Sequence, residues 1–316
     1  MSDSIIYDNI FEAIRALDPH NMVFKALTDQ TGDLILHQNL QMLNKQNRKY
    51  GMSLCGFSTC YFRGESEEYE QCIPSLYRIR DERQRLIAQL KTLDFIMYLE
   101  THPDLRKLEE QRLYVDYLAL AQYYGFATNM LNLTNEILTA AYFATHVYDP
   151  YFNKMTVASK GVGQIRWGTE FSELVGRLHM IGLQPLVRPG LQSTYGINLS
   201  EDEDFADMSE NIKFHQDVEA NQLFNRVFSL GEKMYFPDEG MDFVVRTIQN
   251  SDAITSMAIL RYCKETGANE TVIRKMVLSS NIFVVDAPLV CNNMPYYVFN
   301  HLPAQPISFR SIMVIG

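Results

Sequence analysis

The sequence has no pair of cysteines at CxxC spacing and no histidine placed to complete a zinc set. Its five cysteines, Cys55, Cys60, Cys72, Cys263 and Cys291, are an odd number, which predicts free thiols and no metal site rather than a disulfide framework. No stretch reaches the roughly 18 uninterrupted apolar residues that a membrane span needs. The opening MSDSIIYDNIFEAIRAL lacks the basic-then-apolar layout of a secretory signal. Positive charge is also scarce. With 28 Lys and Arg against 38 Asp and Glu, the net charge of −10 repels nucleic acid and anionic membranes at long range. No internal repeat or low-complexity tract interrupts the chain. These absences lead us to expect a soluble, cytoplasmic protein.

What is present is ordinary globular composition: 316 residues, 47 % hydrophobic and 21 % charged, enough for one large domain or a domain with an appendage. Apolar residues at three- and four-residue steps predict a helix over 4–17. FSTCYF, 57–62, reads as a strand ending at Arg63-Gly64. Two long helices are expected next, about Asp81–Leu99 and Asp104–Tyr124, split at His102-Pro103 and closed by Gly125. Thr134 reads as the cap of a further helix, NEILTAAYFATHVY. Residues 155–169 read as a hairpin turning at KGVG, which makes Gly161-x-Gly163 a turn rather than a phosphate loop. Extended chain is expected over 184–199. Behind Glu201 the reading is mostly helical, near 215–229, 240–249, 252–266 and 270–279, with an extended segment from Phe283. The fold class is therefore α+β, a mixed sheet with long helices. The divisions are an N-terminal helical lead-in (1–50), an α+β core (51–200) and a mostly helical C-terminal part (201–316).

Several short stretches bear on function. Phe62-Arg63-Gly64 puts a permanent cation at a strand end, and PSLYR (Pro74 to Arg78) reads as a rigid lead-in to the long helix. Arg63 has two readings, an ion pair with Glu65, Glu67 or Glu70, or a fork for phosphate oxygens. The helix–turn–helix layout of 256–277, with Arg261, Lys264, Arg274 and Lys275, fits a DNA-binding hairpin, but in an acidic chain we prefer an ordinary αα-hairpin.

Together these motifs resemble the FRG domain family of bacterial and phage proteins, named for (F/Y)RG. Its pattern continues through PSLYR, then AQYYGFATNMLNLT (Ala121 to Thr134) and AAYFA (Ala140 to Ala144), RPGLQSTYG (Arg188 to Gly196), and Phe236-Pro237-Asp238. The resemblance covers about 57–250. Within the second motif this chain departs from the family pattern: Tyr123 stands for histidine, Ala127 for proline, Asn129 for arginine, Asn132 for aspartate and Leu133 for tryptophan. Every titratable group there has become neutral.

The motif order is in turn similar to that of ADP-ribosyltransferases of the arginine–serine–glutamate type. That similarity implies an ADP-ribosyltransferase-like core and NAD as cofactor. Arg63, with Gly64, would clamp phosphate, and Tyr123, Asn129, Asn132 and Thr134 would form the rest of the cofactor-binding wall. Gln192 would occupy the catalytic position where an acid is expected. A glutamine there cannot take up a proton as a carboxylate can. The implied function is an FRG-domain protein with an NAD- or nucleotide-sized cleft, ADP-ribosyltransferase-like but of reduced or unproven activity, in bacterial stress or phage conflict. The alternative is a non-catalytic binding or sensing module. Expected partners are a nucleotide or NAD-like small molecule and a protein, without general nucleic-acid affinity.

Overall fold

The computed structural model describes residues 5–17, 43–44, 49–50, 60–110, 115–149, 154–169, 177–181, 186, 189, 192, 194–228 and 240–290. Strand β1 is Ile6–Tyr7, followed by helix α1 over 10–17. The helix expected from residue 4 starts late because Ile6 and Tyr7 pair with Lys213 and Phe214 as a sheet edge. Asn9 then opens the helix, its Oδ1 accepting from the backbone N–H groups of Phe11 (3.0 Å) and Glu12 (3.3 Å).

Strand β2 is Cys60–Glu65, so Arg63 and Gly64 lie inside the strand rather than behind it. The strand runs on because its neighbour β6, Val162–Thr169, pairs with it as far as Glu65↔Gln164. Residues 57–59 fall outside the described residues. Helix α2, Glu82–Glu100, starts at Asp81, whose side chain accepts from the Gln84 N–H. The single helix expected over 104–124 is two, α3 (Pro103–Glu110) and α4 (Tyr117–Tyr123), because Asp116 caps a fresh start by accepting from the Ala119 N–H. Gly125 takes the expected left-handed conformation, at φ 80°. PSLYR acts as a brace through Leu76, Ser75 and Tyr77, whose hydroxyl donates to the Leu199 carbonyl (3.1 Å). Arg78 is exposed.

Strand β3 is Met130–Thr134 and helix α5 is Ile137–Thr145. Thr134 therefore ends a strand; the cap position belongs to Glu136, and Thr134 Oγ1 accepts from the Glu136 N–H at 3.1 Å to turn the chain. Strands β4 (His146–Asp149) and β5 (Lys154–Val157) pair with each other. The expected 155–169 hairpin is thus not formed: β5 and β6 flank the Gly161 turn but belong to different sheets. Strands β7 (Leu178–Met180), β8 (Thr194–Asn198) and β9 (Glu210–His215) complete the main sheet. The stretch behind Glu201 therefore opens with a strand, in which Ile212 and Phe214 alternate with Asn211, Lys213 and His215, a short period-2 signal that the helical reading passed over.

The result is a mixed α+β fold around a seven-stranded sheet, order β1-β9-β6-β2-β3-β8-β7, antiparallel except for β1 with β9. On one face Cys60, Phe62, Ile165 and Phe214 meet α1, α5 and α6 (Val218–Phe228). On the other, Tyr61, Leu131, Leu133, Tyr195 and Ile197 close over Cys72 and Phe205. A third cluster joins α2 and α4 to α7 (Met241–Asn250), α8 (Ser256–Thr266) and α9 (Glu270–Ser279). Short parallel strands β10 (Ala253–Thr255) and β11 (Phe283–Val285) tie that bundle off. No described helix is long and apolar enough to cross a membrane.

Candidate functional site

Strands β2 and β3 touch at one registered pair, Phe62↔Thr134. Beyond it they part, and a cleft of about 160 Å³ opens between the positions that a continuous ladder would have joined. Phe62, Arg63 and Gly64 line it from β2, and Asn132, Leu133 and Thr134 from β3. Helix α5 closes one end with Thr139, Ala140 and Phe143; Tyr123, Gln192 and Thr194 close the other. The structure thus brings together Arg63, Gly64, Tyr123, Asn132, Thr134 and Gln192, although they span 130 positions. It leaves out Asn129, which precedes β3 and lines a separate cavity with Tyr77 and Tyr262. Arg188 and Phe236-Pro237-Asp238 lie outside the described residues.

Arg63 is a wall residue with a prepared backing. Its Nε donates to Glu65 Oε1 (3.2 Å), and its Nη1 crosses the split to the Asn132 carbonyl (3.0 Å). The Cys72 sulfur engages the guanidinium as well, which leaves two of its five N–H donors. Its side chain is 22 % exposed while that of Glu65 is 3 % exposed, so the pair faces the cleft through the arginine. Glu65 also accepts from Arg166 Nε (3.0 Å), Gln164 Nε2 (2.9 Å) and the Cys72 thiol (3.3 Å). Burial alone would raise the Glu65 carboxyl, but Arg63, the thiol bond and Arg166 outweigh it and hold it below the ordinary glutamate range. Both readings of Arg63 therefore meet in one residue: it pairs with Glu65, and it presents donors to the cleft.

The sequence reading missed Gln164 and Arg166. Their signal was the i, i+2 polar pair inside VGQIRWGT, which puts both on one strand face, but nothing local says that this face meets Glu65. Gly64 has a structural reason of its own: a methyl group there would lie 1.8 Å from the Ala140 carbonyl oxygen, so α5 seats against bare backbone.

The far wall is a neutral network. Thr134 Oγ1 donates to the Gln192 carbonyl (2.9 Å), and the Tyr123 hydroxyl donates to Gln192 Oε1 (2.8 Å) and shares a hydrogen bond with Thr194 Oγ1. Among the described lining residues Arg63 is the one charged side chain; there is no carboxylate and no imidazole. At about 160 Å³ the cleft matches a cavity that holds one aromatic ring. It is smaller than the nucleotide-sized cleft expected, since sites enclosing drug-sized ligands run to roughly 300–1,000 Å³. A dinucleotide would bury one ring or one sugar here and lie outside with the rest. Among the described residues, no group of three or more His, Cys, Asp or Glu is placed to hold a metal ion. Cys60, Cys72 and Cys263 are free; Cys55 and Cys291 are outside the described residues.

The 256–277 hairpin faces the bundle. Arg261 is taken by Glu100 (2.8 Å) and Glu265 (2.9 Å), and Arg274 by Glu270 (2.7 Å). Two of the four cations that suggested DNA binding are therefore paired within the protein.

Neither curated proteins nor solved structures give a match to this chain. The family model of the FRG domain matches residues 58–151. That segment carries β2 with its Arg63-Gly64, the PSLYR brace, β3 and α5, which supply most of the cleft wall. This part of the chain is an FRG domain, as its motifs led us to expect.

Proposed function

We propose that the cleft is a recognition site for an NAD- or nucleotide-type ligand, and that this protein binds that ligand without turning it over. The observation that carries the reading is Gln192. It stands where the transferase analogy requires an acid, its Oε1 is held by Tyr123, and no described lining residue supplies a carboxylate instead. Arg63 offers the electrostatic half of recognition, a guanidinium fixed from behind by Glu65 with donors left toward the cleft. General acid–base chemistry needs a group that titrates near the operating pH within reach of the reacting atoms. The described wall has none.

A second reading, an ADP-ribosyltransferase-like enzyme of reduced activity, draws support from the convergence of Arg63, Thr134 and Gln192 on one split in the sheet. Melting curves with NAD and ADP-ribose, for the parent and for Arg63→Ala, test the recognition half. A ligand that binds only the native state raises the melting temperature. The parent should shift with at least one of them and Arg63→Ala should not. Equal behaviour of the two proteins would remove Arg63 from the site.

A further inference from the structure

Taking the cleft as a ligand site, we infer that Asn132 is held unpaired for the ligand, and that the ligand presents an amide edge: an N–H donor beside a carbonyl, as in a carboxamide, a lactam or a nucleobase. Of the described buried side-chain atoms without a hydrogen-bond partner, Asn132 Oδ1 is the one whose residue lines the cleft. Such a group costs stability and calls for an explanation.

The strand register supplies one. On the β8 side Asn132 lies opposite Gly196, and continuing the Phe62↔Thr134 register by two residues puts Gly64 opposite it on the β2 side. Both cross-strand neighbours are glycine, so neither can offer a side chain to the amide. Its chain neighbours Leu131 and Leu133 belong to the apolar cluster of the far face. Arg63 Nη1 meanwhile donates to the backbone carbonyl of Asn132 itself, so the guanidinium reaches across the split at this residue, and both residues line the cleft. A ligand amide can then give its N–H to Asn132 and its carbonyl to a remaining Arg63 donor. Phe62 and Phe143 supply apolar walls for a ring, and the volume admits one.

The test uses two pairs of probes that differ only in NH₂ against CH₃, nicotinamide with 3-acetylpyridine and benzamide with acetophenone. Their binding is measured by thermal shift and calorimetry on the full chain. Parent protein should bind each amide roughly tenfold tighter than its ketone, about the worth of one hydrogen bond in a desolvated site. Asn132→Leu, with Asn132→Val as a second variant suited to a strand, should lose that preference and melt at or above the parent when no probe is present.

Variants that melt below the parent would make Asn132 structural and overturn the inference. So would a parent that shows no preference for amide over ketone, including one that binds neither. If ADP-ribose binds the parent with no such preference, the recognition reading stands and this inference falls. If the preference appears together with cleavage of NAD, this inference stands and binding without turnover falls.

Discussion

Gly64 faces the carbonyl oxygen of Ala140 so closely that an added methyl group would sit 1.8 Å from it, with the Ala144 nitrogen at 2.7 Å. Both atoms are helix backbone and cannot step aside as a side-chain tip can. Gly64→Ala should therefore push α5 off the sheet and cost about 3 kcal/mol or more. Gly196→Ala meets only the ends of Met130 and Ile181, each at 3.2 Å, and should cost about 1 kcal/mol. Urea unfolding of the two variants checks the ranking.

Arg63 and Glu65 separate by the same logic. Removing Arg63 leaves Glu65 with Arg166, Gln164 and Cys72, so Arg63→Ala should cost about 1–2 kcal/mol. Removing Glu65 strands two guanidiniums, one of them on the buried Arg166, and Glu65→Ala should cost about 3–5 kcal/mol. Denaturation of the single variants and of the double variant Arg63→Ala/Glu65→Ala measures the coupling. A larger loss from Arg63→Ala than from Glu65→Ala would contradict the backing role of Glu65.

How much of this was readable from residues alone differs between the parts. Asp81 and Gly125 announced the ends of their helices because caps are local chemistry. Motif order also grouped Arg63, Tyr123, Asn132, Thr134 and Gln192, and all five line one cleft. Which strand would lie beside which was not legible. Alternation in VGQIRWGT states that Gln164 and Arg166 share a face, yet their meeting with Glu65 depends on a pairing made across 100 positions. The same gap produced the hairpin that does not form, since β5 and β6 follow one another in sequence and pair elsewhere. Asn129 lies outside that cleft: it precedes β3, which starts at Met130, and lines a separate cavity.

Two buried carboxyls give the stability opposite slopes with pH. Glu65 is held below its ordinary value of 4.5, so its contribution is present above that pH and is lost as pH falls through the lowered folded value. Asp94 is pushed up to about 6 by burial, against the pull of its bonds from Thr255 and the charge of Lys91. Its contribution is fully present below 3.8 and is lost as pH rises through about 6, on the order of 3 kcal/mol. Melting temperature should therefore fall between pH 4 and 7 by more in the parent than in Asp94→Asn. Parallel curves for the two would remove Asp94 as the cause.

Burial raises the Cys60 thiol to about 11 and the Cys72 thiol to about 12, so neither supplies thiolate near neutral pH. Iodoacetamide at pH 7.5 followed by peptide mass mapping should leave both unlabelled in the native protein and label both in urea. Native labelling of Cys72 would mean that the Glu65 cluster opens readily.

The central claim, recognition without turnover, is tested most directly by holding the protein with NAD and quantifying free nicotinamide chromatographically, alongside calorimetric titration of NAD and ADP-ribose into the parent and Arg63→Ala. The account predicts measurable binding by the parent, loss of that binding in Arg63→Ala, and nicotinamide no higher than in a protein-free control. Release of nicotinamide that rises with protein concentration and disappears in Gln192→Ala would contradict it and make the cleft an active site.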